Sequence, residues 1–157
     1  MTDLSLPAAL RIIETALSGT RSGPERRIAV CVVDAGGHPL AMLREPDAAP
    51  LLAHIAEAKA RTCILYGKPT KTVMEWADET PNWFHGVREV ALARSGLPLT
   101  ASKGGVIVRD AEGKVIGAVG VAGEAASMTR RSPWPGSTRP ASWQMPDERR
   151  GRARTAD

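Results

Sequence analysis

Aromatic side chains are scarce in this chain of 157 residues, which has one Phe, one Tyr and four Trp. A core built from such a set is mainly aliphatic, and the stacking platforms that hold single-stranded nucleic acids are poorly supplied. Cysteine is scarcer still: Cys31 and Cys63 each stand inside an apolar segment. With no CxxC and no Cys/His spacing, they exclude a disulfide framework and a structural zinc site and read as core thiols. No apolar run approaches the roughly 18 residues of a membrane span, and Met1 to Pro7 has no basic stretch leading into an apolar one. The expectation is a cytoplasmic protein with no membrane partner.

Charge of one sign is also missing from most of the chain. Residues 1–127 hold 14 Lys/Arg and 14 Asp/Glu, whereas residues 128–157 hold seven and three. The basic excess of +4 therefore belongs to the last 30 residues and does not mark a nucleic-acid surface on the domain. Motifs of hydrolysis and nucleotide binding are absent too: there is no G-x-S-x-G, no H-x-x-x-H and no P-loop. The Gly-rich run from Gly117 to Gly123 lacks the G-x-G-x-x-G register of a dinucleotide loop.

Leu10, Ile13, Ala16 and Leu17 recur at helical spacing after Pro7 and predict an amphipathic helix that ends by Gly19. Ile28 to Val33 is a short β-branched run suited to a strand covered on both faces, and Asp34-Ala35-Gly36-Gly37 turns it back into Leu40 to Leu43. Pro50 to Tyr66 has no internal Gly or Pro and predicts a long helix stopped by Gly67-Lys68-Pro69. A second helical segment, Lys71 to Asp78, is expected before an irregular stretch from Glu79 to Gly86 and a short helix from Val87 to Arg94. Val106 to Arg109 and Lys114 to Val121 form a second hairpin around Asp110-Ala111-Glu112-Gly113, which echoes the first turn. Two such hairpins around a helical insertion imply an α/β fold of the α+β kind, an antiparallel sheet with flanking helices in a single domain.

On the long helix, Leu52, Ile55, Ala56, Cys63 and Tyr66 share one stripe, and Lys59 falls on it where an apolar residue would pack. A cation in that position needs either an anion, such as a ligand carboxylate, or a route for its stem to water. The histidines are the strong nitrogen ligands for iron. His38 follows a Gly-Gly turn that lets a ligand approach the backbone. His85 stands beside Trp83 and Phe84, which suit a flat ligand. His54, in the first turn of the long helix, reads as a surface residue. Lys103-Gly104-Gly105 precedes a strand and offers backbone N–H groups to a carboxylate or phosphate.

Several separate pieces resemble the GlcG/HbpS family, which also occurs as the C-terminal domain of PduO-type proteins. They are Val32-Val33-Asp34-Ala35-Gly36-Gly37-His38, Ala56-Glu57-Ala58-Lys59-Ala60-Arg61-Thr62, Gly67-Lys68-Pro69-Thr70, Gly104-Gly105-Val106 and Val115 to Val121. The resemblance spans about residues 30–123 and implies a profilin-like antiparallel sheet, homo-oligomeric assembly and, in some members, haem (heme) binding. A haem here is expected to be non-covalent, because CxxCH is missing. His38 and His85 are the iron candidates, and Lys59, Lys103 and Arg44 are the cations for its propionates. Two other functions compete: an enzyme or accessory protein of small-carboxylic-acid metabolism, with its catalytic residues undetermined, and an assembly protein without catalysis. The family pattern usually places Ser or Asp where this chain has Leu52 and His54, and Arg-Met-Asp where it has Arg44-Glu45-Pro46-Asp47.

The larger departure follows Gly123. Family members close with an acidic, Ala-rich helix, whereas Met128 to Asp157 contains Pro133, Pro135, Pro140 and Pro146, which forbid a continuous helix. Read one base earlier, with suitable synonymous codons, a GC-rich coding sequence for Met128 to Arg139 specifies Asp-Asp-Glu-Ala-Leu-Ala-Leu-Ala-Gly. Residues 1–127 are thus expected to form the domain, and 128–157 a disordered basic tail produced by a frameshift near Ser127. With no apolar periodicity to offset ordering entropy, the tail should be cut by trypsin at Arg130 and Arg131 under native conditions, leaving a compact core on a gel. Protection of both sites would contradict this division.

Overall fold

Ser5 begins the first helix by accepting a hydrogen bond from the Ala8 N–H (3.4 Å), and Pro7 sits in the first turn, where its missing donor costs nothing. The computed structural model describes residues 3–19 and 27–123. This helix, α1 (Leu6–Ser18), buries Ala9, Ile12 and Ile13. The expected tail lies outside the described residues.

Four strands follow the sequence pattern closely: β1 (Ala29–Asp34), β2 (Pro39–Arg44), β3 (Gly105–Arg109) and β4 (Val115–Ala122). All pair antiparallel in the order β2-β1-β4-β3, so each hairpin puts one strand in the middle and one at an edge. Matching aspartates hold the two turns. Asp34 Oδ1 accepts the N–H groups of Gly36 (2.8 Å) and His38 (2.9 Å), and Asp110 Oδ1 accepts those of Glu112 (3.1 Å) and Lys114 (2.8 Å). Local side-chain bonding of this kind makes Asp a turn residue, and it explains why the two turns look alike in sequence.

Because β1 is central, both of its faces are covered. Val30 and Val32 join Ile12, Ile13, Val108 and Val119 in the core beneath α1. Ala29, Cys31 and Val33 face the opposite core with Ala118 and Ala122. That second core is capped by α2 (Leu51–Tyr66), whose Ala56, Ala60 and Cys63 lie on the sheet. The approach is very close. A Cβ on Gly120 would fall 2.0 Å from the Ala56 carbonyl oxygen, and one on its cross-strand partner Gly105 would fall 2.8 Å from both Cys63 Sγ and the Lys59 carbonyl. Two glycines in register on adjacent strands thus let a helix surface of alanines touch strand backbone.

After Gly67 ends α2, Thr70 opens α3 (Thr70–Glu79). The next helix corrects the sequence reading. The stretch from Glu79 to Gly86 is not irregular, because α4 (Pro81–Ser95) runs through it, with Gly86 in its interior. Pro81 is preorganised for a first helical position, and burial of Phe84 (6% exposed) anchors the turn. Against that packing, the roughly 1 kcal/mol that Gly costs a helix is not decisive. Ring contacts link this hairpin to α2: Tyr66 meets Trp76 at 6.3 Å and Trp83 at 6.2 Å, both edge to face.

These glycines predict opposite responses to the same substitution. Gly120→Ala should destabilise the protein by about 3 kcal/mol, since backbone rather than a movable side chain stands in the way. Gly86→Ala, with nothing within 4 Å of the added Cβ, should raise stability by up to about 1 kcal/mol. Urea unfolding of the two variants beside the wild type measures both.

Candidate functional site

Lys59 sits at the deepest part of the helix and sheet contact, and its residue is only 7% exposed. Side chains on a helix lean toward its N-terminus. The ammonium accordingly reaches back to the end of β4, where Nζ donates to the Val121 carbonyl at 2.8 Å. Gly104 leaves room for it. A Cβ at Gly104 would lie 3.0 Å from Nζ and 2.6 Å from that same carbonyl, and the backbone there has φ +121°. Glu57, two residues away on α2, is turned to Arg61 at 2.7 Å. Among the described residues no carboxylate accompanies the Lys59 ammonium, and burial alone lowers its pKa from the ordinary 10.5. One of its three protons has an acceptor among the described residues, so the group has donors to offer an anion.

The pairing of Ala29 with both Arg44 and Ala122, and of Gly105 with Gly120, places four strand ends together. This open end of the sheet lies opposite the two aspartate turns. It brings together the three cations expected to act: Arg44 at the end of β2, Lys59 over β4, and Lys103 just before β3. From β2 to β3 the row crosses three strand spacings, about 14 Å. The Arg44 guanidinium is tied to its own loop by hydrogen bonds to the carbonyls of Ala48 and Glu45. Lys103 is half-buried.

The other expected residues are placed apart. His38 is exposed at the turn end, bonded through its N–H to Asp34. Asp34 pairs with Gly117, four residues along β4 from Val121, or about 13 Å along the strand. His85 is exposed on α4, and Trp83 beside it is 49% exposed, whereas Phe84 belongs to the core. Gly105 is not free to cradle an anion as expected: its N–H donates to Thr70 Oγ1 at 2.8 Å. His54, read as a surface residue, is indeed exposed, yet it is the histidine at the open end. It lies in the first turn of α2 next to Leu52, which packs against Gly123.

Sequence reasoning missed two buried hydroxyls that shape this region. Thr62 accepts the Thr100 N–H at 3.0 Å and so holds the loop before β3 against α2, while Thr70 locks the start of β3. The signals were present: Thr62 is one turn from Lys59 on the apolar helix, and Thr70 closes the Gly-Lys-Pro-Thr stop. Among the described residues, no group of three or more His, Cys, Asp or Glu is placed to hold a metal ion. No helix among them is long and apolar enough to cross a membrane.

The sheet, in the order β2-β1-β4-β3, carries α1 on one face and α2, with its buried lysine, on the other. Residues 4–128 match the model of the haem degrading protein HbpS-like family, and the chain belongs to it. Protein GlcG of Escherichia coli strain K12 is 38% identical over 94 residues, covering 60% of this chain and 63% of GlcG, so the match spans less than two thirds of that relative. A double mutant of HbpS from Streptomyces reticuli has the same fold, with a TM-score of 0.62 and 27% identity over 78% of this chain and 76% of that one. PduOC, solved as its haem complex, matches at TM-score 0.58 and 23% identity over 81% and 87% of the two chains, a likeness of fold.

The desolvated ammonium predicts a pH effect of definite sign. Between the lowered native pKa of Lys59 and the 10.5 of an unfolded lysine, the unfolded chain binds more protons, so this group makes stability rise with pH across that window. The buried thiols act in the opposite sense. Cys31 and Cys63 are pushed from 9.0 to about 12 by burial, so their contribution falls as pH rises above 9. Subtracting the curve of Lys59→Met removes the thiols from view. Wild type minus variant should therefore increase from pH 7 to pH 10.5 in urea unfolding, with the variant equally or more stable at pH 7.

Proposed function

We propose that the chain is a haem-binding module that holds its ligand non-covalently at the open end of the sheet. The observation that carries this reading is the Lys59 ammonium, buried with a single carbonyl acceptor in the middle of a row of cations. A flat dicarboxylate matches such a row better than a small anion would, since its two acid groups reach separate cations. Lys59 anchors one propionate, and Lys103 is placed to meet the other. Family membership supports the ligand class, and PduOC shows that this fold holds haem in that protein. Haem, when bound, would supply iron-centred chemistry, while the protein's part would be to neutralise the propionates and offer a nitrogen ligand.

For that nitrogen the proposal is His54, at the same end as the cations, in preference to His38 and His85. Assembly into a homo-oligomer is part of the same reading. Met42 and Leu43 on the edge strand β2, with Leu6 and Leu10 on α1, are apolar and exposed, which suits contact with further copies. Residues 128–157 are read as lying outside the module.

Haemin titration followed by the Soret band tests the assignment. Wild type should bind saturably. Lys59→Met, of similar volume and at ease in an apolar setting, should bind about ten- to a hundredfold more weakly through loss of a charge-assisted hydrogen bond. His54→Ala should abolish the shifted band, while His38→Ala and His85→Ala retain it. A wild type that gives no shifted band rejects haem as the ligand.

A further inference from the structure

An amine held out of water, with no carboxylate among the described residues to fix its proton, is a nucleophile as well as a cation. We propose that Lys59 is also a capture site for small carbonyl compounds, which bond covalently and reversibly to Nζ as an imine. The geometry meets the requirements of that chemistry. The Val121 carbonyl, 2.8 Å away, holds the nitrogen in place by accepting one N–H, which both the charged and the neutral amine can donate. At Gly104 the absence of a side chain gives the nitrogen its space. With only 7% of the residue exposed, small aldehydes and ketones are the expected partners in preference to bulky ones.

The electrostatics favour the neutral amine. At this end β3 and β4 present glycines and apolar side chains among the described residues. The titratable groups nearby are Cys63, one turn along α2 with its thiol pushed up to about 12, and Lys103, next to Gly104. The thiol, being neutral, supplies no negative charge to hold a proton on Nζ, and burial lowers the pKa of the amine. In the reaction, the neutral Nζ attacks the carbonyl carbon to give a carbinolamine. Loss of the former carbonyl oxygen as water, with two protons that began on nitrogen, leaves the C=N bond, and hydrolysis reverses the sequence. No oxidant or reductant takes part. This inference uses the same nitrogen as the haem reading but does not depend on it.

The test is reductive trapping on the full chain. Protein is incubated at pH 7 with sodium cyanoborohydride and either acetaldehyde or pyruvate, and the adducts are mapped by peptide mass spectrometry. Lys59 should be labelled at least about tenfold faster than the exposed Lys68 and Lys114, and this preference should shrink as pH approaches 10.5, where exposed lysines also lose their protons. Lys59→Arg should lose the adduct at that peptide while keeping the wild-type circular dichroism. Labelling of Lys59 no faster than Lys114 at every pH overturns the proposal. Trapping at Lys59 without a haemin Soret shift would uphold this inference and reject the haem reading, and a Soret shift without trapping would do the reverse.

Discussion

The depth at which α2 rides on the sheet is set by one contact, the backbone of Ala56 and Ala60 against Gly120. Cores transmit such constraints because they are close-packed, with little slack to absorb an added methyl group. Once the helix lies that low, a long side chain at position 59 has no layer of its own to fill. Its aliphatic stem is pressed between helix and strands, and its charged head can emerge only where β4 ends and Gly104 leaves a gap. The burial of Lys59 thus follows from the close approach at Gly120, while Gly104 gives its ammonium room. Cys63, by the same logic, is shut in above Gly105 and cannot act as an exposed thiol.

Periodicity carried most of this fold. The paired Asp turns marked both hairpins because their chemistry is local, complete within five residues, and Lys59 stood out because a cation interrupted an apolar stripe. What could not be read was set by distance in space. Whether a histidine shares an end of the sheet with Lys59 depends on strand order and register, and Gly105 looked like an anion cradle because nothing in sequence shows that Thr70 claims its N–H. The course of α4 was hidden for an energetic reason: Gly86 weakens a helix locally, but the burial of Phe84 outweighs it.

The cation row owes its character to what surrounds it. An exposed lysine bound to a carboxylate contributes little in water, where both charges are already well solvated. For Lys59 the cost of desolvation is already present in the folded protein, so an arriving anion meets a charge that has no other counter-ion among the described residues. Arg44 differs, since its guanidinium has carbonyl partners within its own loop and is held as much by them as by any ligand. The two cations therefore have different tasks despite their shared end of the sheet: one is poised by deprivation, the other by fixed geometry.

Both aspartate turns close the same end of the sheet, so every other passage of the chain into or out of a strand occurs at the opposite end. The loop from β2 into α2 and the loop before β3 both lie at that end, and Gly104 of the latter borders the Lys59 ammonium. Such an arrangement divides labour between the two rims, much as barrel enzymes keep stability at one mouth and chemistry at the other. Connecting segments can change length or composition here without reworking a hairpin, and each change alters the surroundings of Lys59. The scaffold is thus open to diversification at one rim only, where loops can be exchanged around a single buried amine while the rigid sheet stays as it is.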